Sequence, residues 1–392
     1  MHSPKALQEA VAAQWQWFQR RLRELVETES PSDDKAAVDA AAALVAGWVS
    51  ELGGRVKRHR QRRFGDLLEA RFGAAGSKRK PILLLGHLDT VWPLGTLRRM
   101  PWREDGGRIY GPGVLDMKAG VVMALTAVRV LLEGGVRVPV TLLLNSDEEV
   151  GSPVSRAITE RLARQSEAVL VLEPAQGLAC KTARKGVGDY RIEVSGVASH
   201  AGVDFERGHS AVLELARVLE KVSGFTDLKI GRTVNPGVIG GGTRSNVIAA
   251  SAWAEVDVRI AKAADAAKLD RLFRSLRCED PKCSLKISGG LNRPPMERKP
   301  GTVRLYRQAR RLAAELGFEL AEAATGGGSD GNFTAALGVP TLDGLGAVGE
   351  GAHAAHEHIV TEHIVPRTAL LAAMLGGGPP GYSLRFCSGD SS

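Results

Sequence analysis

Cysteine is scarce in this 392-residue chain. The four present, Cys180, Cys278, Cys283 and Cys387, are too few and too scattered for a disulfide framework, and none forms a CxxC pair that would suggest a thiolate zinc site. Long apolar runs are missing as well. Pro81-Ile82-Leu83-Leu84-Leu85 is among the longest, far short of the roughly 20 residues that span a bilayer, so no membrane partner is expected. Lys5, Glu9, Arg20, Arg21, Arg23 and Glu24 interrupt the apolar character of the N-terminus, which lacks a signal-peptide core; a cytoplasmic location is expected. Aromatic residues make up only 5%, and no RNP, zinc-finger or helix-turn-helix pattern accompanies the net charge of +8. Nucleic acid is therefore not an expected partner. Much of the basic excess lies in Arg55-Val56-Lys57-Arg58-His59-Arg60-Gln61-Arg62-Arg63, and such runs are ordinarily wet surface. An anionic small substrate is the other use for it. What remains is ordinary for a soluble chain: 44% hydrophobic and 24% charged residues, over a length that suits two or three compact units.

The N-terminal segment reads as one helix over about residues 5–28, with Trp15, Phe18, Leu22, Leu25 and Val26 at helical spacing. Trp15 and Trp17 are expected to be packing residues. Ser30-Pro31-Ser32 breaks the chain, and a second helix runs over about 33–52 to the stop Gly53-Gly54. Three continuous apolar stretches follow, Ile82 to Leu85, Thr141 to Leu144 and Ala168 to Leu172, as expected of strands buried on both faces. Helical patterns near 117–133 and 153–165 separate them. The pattern predicts an α/β domain with a mostly parallel sheet.

The middle of the chain changes character. Tyr190, Ile192 and Val194 alternate with Asp189, Arg191 and Glu193, and Val256, Val258 and Ile260 alternate with Glu255, Asp257 and Arg259, which marks strands with one wet face. With helices near 208–222 and 263–276, the order over 187–289 is strand-helix-strand-strand-helix-strand, that of a ferredoxin-like α+β sandwich. The expected organisation is a discontinuous catalytic domain, 1–186 with 293–378, an inserted domain at 187–292, and a disordered Gly/Pro-rich tail at 379–392. The turn around Pro281 is expected to expose Cys278 and Cys283.

Each buried strand is followed by residues that can bind a metal: His87 and Asp89 after the first, Asp147-Glu148-Glu149 after the second, Glu173 after the third. Open α/β sheets place ligands beyond the carboxyl ends of their strands. Asp116, in the loop Gly111-Pro112-Gly113-Val114-Leu115-Asp116, can join them. Carboxylates converging there would repel one another unless cations neutralised them, and oxygen with imidazole ligands suits zinc, cobalt or manganese. Taken singly, a histidine after a strand is more often structural, and Asp-Glu-Glu is commonly an exposed turn. Together at corresponding strand ends they form a pattern. Two Gly-rich stretches, 240–242 and 326–328, lack the Lys-Ser/Thr that would make a phosphate loop of either.

Several motifs run in order through nearly the whole chain: Gly86-His87-Leu88-Asp89-Thr90-Val91, Gly111-Pro112-Gly113 with Asp116-Met117-Lys118, Asp147-Glu148-Glu149-Val150-Gly151-Ser152, Leu172-Glu173-Pro174, Ala198-Ser199-His200-Ala201-Gly202, Ser245-Asn246-Val247-Ile248, Gly326-Gly327-Gly328-Ser329-Asp330-Gly331 and Gly351-Ala352-His353. In this combination the chain resembles the M20 metallopeptidases, in their glutamate carboxypeptidase-like branch. The resemblance implies a dimeric hydrolase with two divalent metal ions per chain, zinc first among the candidates. It assigns His87, Asp116 and Glu173 to one ion and Asp116, Glu149 and His353 to the other. Glu148 would be the general base, and Asp89 would accept the other N–H of the His87 ring. His200 would stabilise the oxyanion in a neighbouring protomer's site. Arg259 and Asn246 resemble residues that bind a substrate carboxylate, with Lys185 and Gly328 as further contacts. Among the clustered histidines, His353 followed by Glu357 fits the family's ligand pattern; His356, His358 and His363 are expected to be solvated or rim residues. The implied reaction cleaves an amide or peptide bond beside a free carboxylate, releasing glutamate or a similar residue. The rivals are an N-acyl-amino-acid deacylase of the acetylornithine or succinyl-diaminopimelate type and a non-catalytic binding protein.

Overall fold

The computed structural model describes residues 3–73 and 79–377; the expected tail at 379–392, with Cys387, lies outside the described residues. The chain divides into two compact units. One comprises residues up to Ala183 with Arg298–Ala324 and the segment from Ser329 onward; the other comprises Arg184–Glu297 with Thr325–Gly328.

The first unit is built on a six-stranded sheet in the order Arg55–His59, Leu67–Phe72, Val140–Asn145, Ile82–His87, Ala168–Val171, Thr341–Leu342. The first two pairings are antiparallel and the remaining ones parallel. The central strands are buried along their whole length, which explains their continuous apolar sequence. Successive side chains leave a strand on opposite faces. Leu84, Leu142, Leu144 and Leu170 therefore enter the larger core, with the helices Lys35–Glu51, Ala119–Glu133 and Ile364–Gly377. Leu83, Leu85, Leu143, Val169 and Val171 enter a smaller core with Leu162 and Ala163 of the helix Arg156–Gln165.

Local chemistry sets the helix ends. The Asp34 carboxylate accepts the amide of Ala37 at the start of Lys35–Glu51, and Gly53, at φ +74°, follows its last turn. The N-terminal segment corrects the single expected helix. It forms two, Pro4–Ala12 and Trp15–Glu27, and both bury apolar residues in the larger core. Neither glycine nor proline marks the break, so the helical spacing reads straight through it. Trp17 is buried and Trp15 stacks on Phe18 at 5.6 Å, as packing residues. Among the described residues no helix is long and apolar enough to cross a membrane.

The second unit holds a four-stranded antiparallel sheet in the order Thr233–Gly241, Ser251–Ile260, Gly186–Ser195, Ser284–Arg293. With the helices Ala211–Ser223 and Ala264–Ser275 interleaved, this is the ferredoxin-like order. Tyr190, Ile192, Val194, Val256, Val258 and Ile260 form its core with residues of both helices, and Tyr190 stacks on Phe273 at 3.8 Å. Cys283 is buried in this core and Cys278 packs against it, so the turn around Pro281 hides more than its polar sequence implied.

Candidate metal centre

His87 is the last residue of its strand and its side chain is only 1% exposed. Its Nδ1 lies 2.9 Å from the carbonyl oxygen of Asp89. A carbonyl can only accept, so Nδ1 carries a hydrogen, and Nε2 is the ring nitrogen left to bind a metal. Nε2 lies 3.3 Å from Asp116 Oδ1 and 3.7 Å from Glu173 Oε1. The expected partner of the ring was the Asp89 carboxylate. That carboxylate lies 3.5 Å from Nδ1 and also accepts from Ser32 Oγ at 2.7 Å, the Glu148 amide at 3.2 Å and the Glu149 amide at 3.1 Å. Asp89 thus orients the imidazole through its backbone and braces the Glu148–Glu149 turn through its side chain.

Asp116 lies in non-helical backbone just before the helix Ala119–Glu133, after Gly113 at φ +70°, and the Asp116–Met117 peptide is cis. A Cβ at Gly113 would meet the Thr90 methyl at 2.5 Å, so that close approach calls for glycine as well. Glu148 and Glu149 open a short 3₁₀ turn beyond the Val140–Asn145 strand. His353, with φ +63°, aims Nε2 at Asp116 Oδ2 (3.4 Å) and Glu149 Oε2 (3.3 Å). Asp116 therefore faces both histidines, one with each oxygen. Ligand atoms of His87, Asp116 and Glu149 gather within 4.8 Å of one another, and so do those of His87, Glu148 and Glu173.

The electrostatics fit cations. His87 Nε2, Asp116 Oδ1 and Glu149 Oε1 are buried with no hydrogen-bond partner among the described residues, a cost that a native site rarely leaves unanswered. Burial alone would raise Asp116, but His353 and His87 beside it hold it well below the usual carboxylate range. The Asp116 and Glu149 carboxylates push His353 up to about 10. Burial opposes a charged His87, yet Asp116 and Asp89 drive it well above its ordinary value. In the metal-free chain, protons on the histidines thus do the neutralising that a divalent ion would do.

Of the other clustered histidines, His358 is buried rather than solvated: Nδ1 donates to the His356 carbonyl and its ring lies 5.2 Å from that of Tyr110. His363 lies 3.4 Å from Glu362. Glu357 is buried and accepts several backbone amides; its place four residues after His353 was the only sequence signal for it.

The second unit divides the remaining candidates between two ends of its sheet. His200 and Asn246 are exposed on neighbouring loops, joined by hydrogen bonds from Ala201 N to Asn246 O and from Ile248 N to Ser199 O. At the other end, Arg259 donates to Asp257 at 2.7 Å and to Gly326 O at 3.4 Å, while Lys185 N donates to Thr325 O. Arg184 donates to Gly327 O and Gly328 O, and a Cβ at Gly328 would press on Val187 and Arg293. The buried Arg184 and Arg293 carry no signal in the sequence that sets them apart. Ser251 and Arg259 lie near opposite ends of one strand, roughly 27 Å apart at about 3.4 Å per residue, with the Asn246 loop preceding the Ser251 end.

Residues 83–376 match the peptidase family M20/M25/M40. The chain is 31% identical over 365 residues to carboxypeptidase G2 of Pseudomonas sp. (strain RS-16), covering 91% of this chain and 88% of that one. It is 29% identical over 259 residues to acetylornithine deacetylase of Salmonella arizonae, covering 60% of this chain and 66% of the other. Among solved structures, aminopeptidase PepT from Bacillus cereus superposes with a TM-score of 0.76 at 22% identity, over 94% of this chain and 98% of that one. The metallo-carboxypeptidase Sso-CP2 from Sulfolobus solfataricus does so at 0.72 and 16%, over 92% and 98%.

Proposed function

Because the chain belongs to peptidase family M20/M25/M40, a family of metal-dependent hydrolases, we propose that it is a two-metal exopeptidase cleaving an amide next to a free carboxylate, with glutamate or a similar residue released. The observation that carries this reading is the convergence of His87, Asp116, Glu149 and His353, whose ligand atoms include buried ones without partners. His87, Asp116 and Glu173 would hold one ion, and Asp116, Glu149 and His353 the other, with zinc first and cobalt or manganese next. Bound there, two cations supply Lewis acidity, lowering the pKa of water and polarising the scissile carbonyl.

The chain's own residues supply the rest. Glu148 takes a proton from the attacking water and hands it to the leaving nitrogen. Asp89 holds the Glu148 and Glu149 amides, fixing where the base points. His200 donates to the oxyanion, and Asn246, Arg259, Lys185 and Gly328 bind the substrate. A dipeptide-sized substrate is far shorter than the roughly 27 Å between Ser251 and Arg259, which favours a homodimer in which each site draws on both chains. That is the reading in which His200 serves the neighbouring site. The wet basic segment from Arg55 to Arg63 has no part in it.

A second reading, cleavage of an N-acyl amino acid, is favoured by the similarity to acetylornithine deacetylase and uses the same centre. Hydrolysis of folyl-glutamate, N-acyl-glutamates, N-acetylornithine and dipeptides, each with zinc, manganese or cobalt, separates the two. Folded protein that neither binds nor is activated by any of these metals would sink both.

A further inference from the structure

A carboxylate has about four lone-pair sites, and one that is buried must find donors for them or remain costly. Glu357, only 1% exposed, fills all of its capacity. Its Oε2 accepts from Trp92 Nε1 at 2.7 Å and from the Gly113 amide at 2.9 Å. Its Oε1 accepts from the Leu115 amide at 2.9 Å and the Asp116 amide at 3.1 Å. These donors come from separate segments. Trp92 follows His87 and Asp89, the three amides belong to the loop that presents Asp116, and Glu357 itself ends the turn that presents His353. The bonds Ala354 N to Gly351 O (2.8 Å) and Glu357 N to Ala354 O (2.9 Å) couple Glu357 tightly to His353.

We propose that Glu357 is a positioning residue: it binds no metal, but one carboxylate sets the spacing between the segments that carry His87, Asp116 and His353. The inference rests on the metal-centre reading above. Asp116 faces both histidines, so a displacement of its loop disturbs both ligand sets at once. The pairing of Arg108–Tyr110 with His358–Val360 ties the two segments together at the foot of the Asp116 loop, and the Glu357 side chain spans the remaining distance to the Asp116 amide directly. Buried hydrogen-bond partners of this kind typically change metal affinity by about 10–100-fold when removed.

Glu357→Gln is the sharpest probe. It keeps the shape, yet whichever way the amide turns, its NH₂ meets two N–H donors: Trp92 with Gly113, or Leu115 with Asp116. Trp92→Phe is the milder one and removes a single donor. For wild type and both variants, zinc affinity is measured by chelator competition, thermal midpoints are measured with and without zinc, and kcat and KM are separated. In Glu357→Gln, zinc affinity is expected to fall about 10–100-fold. Its midpoint gain on adding zinc should shrink, and kcat should fall more than KM changes. Trp92→Phe should move the same quantities the same way by less, with its metal-free midpoint nearly unchanged. Equal losses of midpoint with and without zinc, at wild-type zinc affinity and kcat, would show a purely structural residue and overturn the proposal. If Glu357→Gln does not fold, wild-type zinc affinity and kcat in Trp92→Phe overturn it. Wild-type protein that binds no zinc, manganese or cobalt would instead overturn the metal-centre reading, and this proposal with it.

Discussion

The two units treat their polar candidates in opposite ways. In the first, residues far apart in sequence, from His87 to His353, meet within a few ångströms because each stands at the end of a buried strand or in a loop packed beside one. In the second, the candidates occupy both ends of a half-exposed sheet, and Arg259 spends much of its guanidinium on Asp257 of its own strand. A parallel sheet collects its strand ends at one edge. An antiparallel sheet with one wet face offers polar positions along its whole length and gathers none of them. Strand-end residues are therefore the safer functional bet, and polar-face residues need a partner to say what they do.

The largest test of this contrast is the general base. Glu148→Gln should lower kcat by about 10²–10⁴ while the protein keeps its metals, because an amide cannot take the proton. Glu149→Gln should show the reverse, with weaker metal occupancy and activity partly recovered at high metal concentration. Metal analysis beside turnover for both variants decides it; if the two exchange behaviours, the base and ligand assignments are swapped.

Next in size is complementation between chains. Glu148→Gln and His200→Ala should each be nearly inactive, yet a mixture should recover part of the activity as hybrid dimers form with one intact site. Hybrids demonstrated by mass but still inactive would place His200 in its own chain's site, or in none.

A smaller effect is expected from pH in the metal-free protein. His353 is raised from an ordinary 6.5 to about 10 by its carboxylate neighbours. A base whose folded value is raised contributes stability that is complete below the unfolded value and lost as pH rises through the folded one. The metal-free midpoint should therefore decline towards pH 10, and His353→Gln should remove part of that decline. A thermal melt series across this range measures it. Saturating zinc should flatten the same curve, since zinc needs the neutral ring.

The smallest expected effect concerns the second unit. With Arg259 already paired to Asp257, Arg259→Ala should cost less than about tenfold in kcat/KM, below the loss of a fully committed carboxylate clamp. Combined with Asn246→Ala, the losses should depart from additivity by more than about 0.5 kcal/mol, because both residues touch one substrate from two chains. Strictly additive losses would mean that the two do not share a substrate, and would leave Arg259 an ordinary strand residue paired to Asp257.

Much of the first unit was legible because burial leaves a mark on sequence. Strands covered on both faces must be apolar throughout, and the polar residue that ends each one stands out against that background. His353 could be chosen among its neighbours only through a family pattern, since a crowd of histidines has no periodicity to read. The Asp89 backbone oxygen went unseen because a spacing of two residues points to the side chain, whereas the carbonyl at 2.9 Å lies nearer the ring than the carboxylate at 3.5 Å. The break between the first two helices left no trace because no breaker marks it, and the glycine run at 326–328, though visible, gave no sign that Thr325–Gly328 returns to the second unit.

By itself the sequence determined the element types, the parallel sheet, the ferredoxin-like order of the second unit and the residues that end the buried strands. These follow from local rules, side-chain period and burial, which act over a few neighbouring residues. Only the tertiary structure decided which donors a buried carboxylate such as Glu357 satisfies, which oxygen of Asp89 meets the His87 ring, and that Asn246 and Arg259 stand at opposite ends of one sheet. Those facts depend on contacts between residues far apart along the chain. Hydrogen-bond geometry sets them within tenths of an ångström, and no spacing in sequence encodes that.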